Sequence, residues 1–197
     1  MSHWQFPIVL ASASPRRATL LAEAGIEVTI NLPTCDDGVF DCGTMEAQRW
    51  VQVLSTLKAM NVLNQNRHTS GTVLAADTVC VVDGSILGQP KNMDVARAML
   101  HSMTSRMHEV YTGWCLESVD GSHFQCGYDT AKIEIGSIDS QEIEKYLQTN
   151  HWVGKAGGYN LSERVRAGWP ITCIGDEATV MGLPMKRLKQ ELSRRSK

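Results

Sequence analysis

Four short stretches of the chain carry residue types suited to handling a phosphate chain. The first is Ser12-Ala13-Ser14-Pro15-Arg16-Arg17, between an apolar run and a helical pattern. The open N–H groups of a helix start, two small hydroxyls and two guanidinium groups together make a candidate anion cradle. The glycines and lysine of a G-x-x-x-x-G-K-[ST] loop are absent, so this is not a Walker loop. The same residues also suit an ordinary Ser-Pro helix start with its arginines in solvent. The second stretch is Ala75-Ala76-Asp77-Thr78, where a carboxylate interrupts an apolar, Thr-rich run. A charge there is unfavourable unless it is paired or used, or unless it sits on an edge facing water. The third, Asp36-Asp37 before Gly38, offers hard oxygen ligands of the kind that hold Mg²⁺ or Mn²⁺ jointly with phosphates, and equally reads as a turn. The fourth, Gly154-Lys155-Ala156-Gly157-Gly158-Tyr159, sets a point charge among glycines that let backbone approach a ligand closely.

These stretches need elements to position them, and the patterning predicts a mixed α/β chain. Ile8 to Ser12 suits a buried strand, and Ser14-Pro15 opens a helix that Gly25 ends. Glu27 to Leu32 alternates as a strand, Pro33 to Gly43 reads as loop, and Thr44 to Leu63 repeats apolar residues at helical spacing. Thr72 to Val82 reads as a strand returned by Asp83-Gly84 into Ser85-Ile86-Leu87. Asn92 caps a helix to Met103. The strands Met107 to Val119 and His123 to Ile135 are joined at Asp120-Gly121, and a helix covers Asp139 to Thr149. Residues 150–170 read as irregular, before a strand at Ile171 to Ile174 and a helix after Pro184.

Composition narrows the function classes. Among 197 residues, 19 Lys+Arg stand against 21 Asp+Glu, and no basic block precedes the tail, which argues against bulk nucleic-acid binding. The terminal Lys186, Arg187, Lys189, Arg194, Arg195 and Lys197 read as a solvated helix face and frayed end. No apolar stretch approaches the ~18 residues of a membrane helix, and Met1 to Pro7 lacks the basic head and apolar core of a secretory signal. Six cysteines without a C-x-x-C pair, and six histidines without zinc spacing, read as reduced thiols packed mostly as small hydrophobes. Trp50, Trp114, Trp152 and Trp169 read as packing residues, and His108 as a structural hydrogen-bonding group or a substrate contact.

Taken in order, Ser12 to Arg17, Ala76-Asp77-Thr78 and Lys155-Ala156-Gly157 resemble the Maf family of nucleotide pyrophosphatases. Lys58-Ala59, His108-x-Val110-x-Thr112-Gly113 and Val180-Met181-Gly182-Leu183-Pro184 extend the resemblance from about Leu10 to Leu188. It implies an α/β fold of two lobes, a mixed sheet flanked by helices around a central cleft (Maf/ITPase-like), in a single domain over residues 1–197. It also implies a cytoplasmic homodimer that uses Mg²⁺ or Mn²⁺ to hydrolyse a nucleoside triphosphate to the monophosphate and pyrophosphate, removing unwanted nucleotides.

The resemblance makes Asp77 and Lys155 the expected catalytic residues, with Asp77 a general base or metal-bound carboxylate and Asp37 a second metal ligand. Ser12, Ser14, Arg17, Lys58 and Lys155 would bind the triphosphate. Arg16 and Thr78 stand where the dTTP/UTP branch has Arg and Thr and the 7-methyl-GTP branch has Trp and Gln. Four positions depart from the pattern. Gln89 replaces a lysine whose charge Lys91 would supply, Gly154 replaces an Asp beside Lys155, Ser162 replaces a longer base-reading Gln or Glu, and Asp37 replaces a Glu. These departures keep two alternatives open: a nucleotide-binding or regulatory protein with weakened catalysis, and a pyrophosphatase for a modified or purine nucleotide.

Overall fold

An apolar tetrapeptide with no polar face must be covered on both sides, and Ile8–Ala11 (β1) is buried at every residue. The computed structural model describes residues 4–35 and 40–193. β1 pairs in parallel with Val28–Ile30 (β2) on one side and with Thr72–Val82 (β3) on the other. Parallel neighbours need crossover connections. Pro15–Glu23 (α1) supplies the first, with Pro15 as its first residue, and Ala47–Leu63 (α2) the second. α2 begins three residues later than its periodicity predicts, because Glu46 is extended and occupies the N-cap position. β2 is shorter than its alternation, since its partner β1 offers only four residues.

β3 matches its predicted bounds and turns at Asp83-Gly84, both with positive φ (48° and 78°), into the antiparallel Ser85–Leu87 (β4). The long strands Arg106–Ser118 (β5) and Phe124–Ile135 (β6) follow, and Ile171–Ile174 (β7) pairs antiparallel with β6. The seven-stranded mixed sheet runs β2-β1-β3-β5-β6-β7, with β4 paired to β3. The other helices are Met93–Met103 (α3), Ser140–Gln148 (α4), Leu161–Arg166 (α5), Glu177–Val180 (α6) and Met185–Ser193 (α7).

The chain divides into two compact units, Met1–Asp77 with Thr112–Asp129 and Gly182–Lys197, and Thr78–Tyr111 with Thr130–Met181. In the first unit, Ala59 and Val62 of α2 pack on Val9, Ala11, Val73 and Ala75. In the second, Cys80, Leu100, Met103, Ile133, Ile143 and Leu147 form the centre of a core that also buries Trp152 and Trp169. Trp50 and Trp114 are buried as well, so all four tryptophans named from the sequence are packing residues.

Residues 150–170 are more ordered than their composition suggests. A 3₁₀ turn at Ala156–Gly158 precedes α5, and Asn160 caps α5 by accepting from the Glu163 N–H at 3.0 Å. The Asn-x-x-Glu spacing carries that signal, but six helical residues are too few to show a period. The cysteines also depart from expectation. All six are free, yet only Cys80 and Cys115 are buried, because the other four lie where the sheet faces and loops reach solvent. On α7, Lys186, Arg187 and Lys189 are exposed, while Arg194, Arg195 and Lys197 lie outside the described residues.

Candidate functional site

The first unit gathers the phosphate-directed residues by strand register. Ala11 pairs with Ala75, so Ser12 leaves β1 one residue beyond the last pair and Asp77 lies two beyond it on β3. Alternation puts Asp77 on the same face as Val73 and Ala75, and that face is covered by α2 through Ala59. The neighbouring Lys58 therefore reaches Asp77, and its ammonium donates to Oδ1 at 2.5 Å. Both side chains are nearly enclosed, at 13% and 11% exposure. This is a paired buried carboxylate, not an edge Asp facing water.

The β1–α1 junction is organised around Ser12 Oγ. It accepts from the Ser14 N–H at 3.2 Å and from Arg17 Nη1 at 2.9 Å. Arg17 Nε donates to the Gly182 carbonyl at 2.8 Å, which fixes the guanidinium from its other side. Gly182 has φ +108°, and a Cβ there would lie 3.1 Å from Arg17 Nε. The Gly-Leu-Pro turn before α7 is thus a clamp for Arg17, a role that the motif's spacing alone does not reveal. Ser14 sits at the N-cap of α1 but makes no side-chain cap, leaving its hydroxyl to other work. Arg16 is half-buried on the first turn.

In the second unit, the glycine stretch is strapped to the core. Gly157 has φ +67°, and a Cβ would meet Cys80 Sγ at 2.8 Å, so only glycine fits there. Its N–H donates to the Gly88 carbonyl at 3.0 Å, tying this turn to the segment that carries Gln89 and Lys91. Both of those side chains are exposed. The Tyr146 hydroxyl donates to the Gly158 carbonyl at 3.0 Å. Lys155 is 8% exposed and donates to Glu163 Oε2 at 2.6 Å. Glu163 is a residue the sequence reading missed: the partner that Gly154 cannot supply comes from α5, eight positions on. Ser162, in the first turn of α5, donates to Asn160 Oδ1 at 2.9 Å and is half-buried, as is Thr78 on β3.

Asp36 and Asp37 lie outside the described residues. Among the described residues, no group of three His, Cys, Asp or Glu side chains stands together to hold a metal ion. Asp77 offers an enclosed carboxylate, with the cationic Lys58 against it. Mg²⁺ characteristically binds through one or two carboxylates together with substrate phosphates and water. The donor set therefore fits a cation that arrives with a polyphosphate, and it does not make a complete protein cage.

His108 proves structural. It is 2% exposed, its Nε2 lies 2.8 Å from the Tyr159 hydroxyl, and the rings meet edge to face at 5.8 Å. Nδ1 has no hydrogen-bond partner, and burial lowers the imidazole pKa from 6.5 to about 4. As pH falls, the unfolded chain takes up this proton near 6.5 while the folded chain resists until about 4. The stabilisation is complete above pH 6.5 and is lost as pH falls from there to 4, up to about 3 kcal/mol in all. Urea midpoints at pH 7.5 and 4.5 are expected to separate more for the parent than for His108→Asn; equal separations would refute this.

The sequence comparisons bear on the whole of this arrangement. The family model described as Maf-like protein matches residues 7–195. A dTTP/UTP pyrophosphatase of Rhodopirellula baltica is 36% identical over 190 residues, covering 94% of this chain and 80% of that protein. Those of Rhizobium meliloti (35% identity, covering 90% and 87%) and Clostridioides difficile (33%, covering 92% and 91%) are similar over nearly their full lengths too. With the β1–α1 junction, the Lys58–Asp77 pair and the Lys155 turn all falling inside the matched region, the chain belongs to the Maf-like protein family.

Proposed function

We propose that this protein hydrolyses a nucleoside triphosphate, dTTP or UTP most readily, to the nucleoside monophosphate and pyrophosphate. The observation that carries the reading is the enclosed Asp77 carboxylate, held by Lys58 beside a strand-to-helix junction whose Ser12 and Arg17 are fixed in place. Its support from relatives is their shared name, dTTP/UTP pyrophosphatase, at 33–36% identity. Arg16 and Thr78, the residues of the pyrimidine branch, support the base preference.

Hydrolysis of the α–β anhydride needs a deprotonated water, charge neutralisation and donors aimed at non-bridging oxygens. Asp77 accepts the proton of the attacking water. Lys58 orients that carboxylate, and both Lys58 and Lys155 balance phosphate charge. Ser12, Ser14 and Arg17 donate to phosphate oxygens. A Mg²⁺ or Mn²⁺ ion, held by Asp77 with Asp37 and the phosphates, would neutralise developing charge and acidify bound water. Gln89, Lys91 and Ser162 would take part in substrate binding in this reading, with Lys91 supplying the charge that Gln89 lacks.

We place the enzyme in the cytoplasm as a homodimer. No helix among the described residues is long and apolar enough to cross a membrane. Val53, Leu57 and Met60 form an exposed apolar stripe on α2 at helical spacing, which supports a contact between copies.

The test is a nucleotide panel with Mg²⁺ or Mn²⁺ and product identification. Equal amounts of monophosphate and pyrophosphate, formed fastest from dTTP and UTP, are expected. Tight nucleotide binding without turnover would instead favour the weakened-catalysis reading, to which the neutral Gln89 side chain points; release of orthophosphate alone would refute both.

A further inference from the structure

Outside the phosphate-directed residues, the β5–β6 hairpin holds two cysteines in register. The Ser118 N–H donates to the His123 carbonyl at 2.9 Å. Further along, a Cβ on Gly127 would press on the Trp114 ring at 2.7 Å, and Lys132 approaches Glu109 at 4.0 Å. The three pairs share one antiparallel register, and that register sets Cys115 opposite Cys126. Ser118 and His123 form a hydrogen-bonded pair, so the position three residues along is a non-hydrogen-bonded one. Cα atoms in such pairs are about 4.5 Å apart, within the span of roughly 4.4–6.8 Å that a disulfide bridges.

The two thiols also share a face. Cys126 packs against the same apolar cluster that contains Cys115. Both meet α2, Cys126 through Gln52 at 4.0 Å and Cys115 through a hydrogen bond with Thr56. Their access differs: Cys115 is fully buried and Cys126 is half-buried. Glu117 lies two residues along the same face with a buried Oε2 that has no hydrogen-bond partner. Burial pushes the Cys115 thiol up to about 12, against the lowering by its Thr56 hydrogen bond, and the half-exposed Cys126 is the sulfur that an oxidant reaches first.

We propose that Cys115 and Cys126 are a peroxide-oxidisable pair that closes to a cross-strand disulfide beneath α2. Cys126 sulfur attacks one oxygen of hydrogen peroxide, the O–O bond breaks, and the released hydroxide takes the Cys126 proton to leave as water, giving a sulfenic acid. Cys115 sulfur then attacks the Cys126 sulfur, the S–O bond breaks, and hydroxide leaves as a second water with the Cys115 proton. Two thiols lose two electrons in total, and one peroxide becomes two waters. This pair is independent of the proposed hydrolysis and stands or falls without it.

The test treats the full-length protein with hydrogen peroxide, alkylates the remaining thiols, and cleaves at Glu and Asp. Cleavage at Glu117 or Asp120 separates the two cysteines, so a disulfide leaves a linked peptide pair that dithiothreitol releases. That pair is expected in the parent and lost in Cys126→Ser, which changes a half-exposed side chain only. Cys115→Ser is expected to accumulate a sulfenic acid on Cys126, trapped by dimedone. Both cysteines remaining alkylatable, Cys126 overoxidised without a link, or either cysteine joined to a different one would each overturn the proposal.

Discussion

Asp77→Asn is expected to lower pyrophosphate release roughly 10³-fold, within the range that a lost general base or transition-state contact produces. The substitution keeps the size of the side chain and an oxygen able to accept from Lys58, which lies 2.5 Å from Asp77 in the parent. What it removes is the negative charge. A water proton then has no anionic acceptor there, and a cation arriving with the nucleotide loses the enclosed carboxylate that Lys58 holds. Removing one partner of an enclosed pair also destabilises a fold, so thermal unfolding is to be measured on the same preparation. A rate loss with the melting temperature within a few degrees of the parent supports the chemical role. Undiminished turnover by a folded Asp77→Asn protein would refute it.

The second large effect is expected at Lys155. Lys155→Met retains the apolar stem in its enclosed position, where the parent side chain is 10% exposed, but removes the ammonium. A fall in kcat/KM of roughly 10²–10³ is expected, comparable to the loss of one donor aimed at transition-state charge. Glu163, which pairs with Lys155 at 2.6 Å, is 41% exposed and regains water when its partner is removed. Stability should therefore change by less than about 1 kcal/mol. Glu163→Gln provides the contrast: it leaves the lysine charge in place and loosens only its orientation, so a smaller loss, carried mainly in KM, is expected. Equal losses in the two variants would mean that the pair acts as a structural tie and not as a source of charge toward phosphate.

Much of the frame behind these expectations can be read locally. The bounds of β3, the Asp83-Gly84 turn, the Asn92 cap and the Pro15 start of α1 are each decided by residues within one turn or one strand of themselves. Backbone hydrogen-bond needs, side-chain caps and the periods of two and 3.6 act over that same range. The short α5 escaped this reading because a six-residue helix shows no period, although its Asn160 cap was present. Chemical inventory was readable too: a hydroxyl- and arginine-rich junction, a carboxylate inside an apolar strand and a lysine among glycines.

Partnership was not readable, because it depends on which distant segments the sheet brings alongside each other. Lys58 and Asp77 are 19 positions apart and meet only because α2 crosses over the face on which β3 presents its odd-numbered residues. Arg17 and Gly182 are separated by 165 residues and meet through the closing turn before α7. His108 and Tyr159 share a core that neither motif announces. The chain's own order thus determined its local elements and the family's chemical groups. Tertiary packing alone decided which charges are enclosed and with what, since a carboxylate loses its water only when another segment takes the water's place.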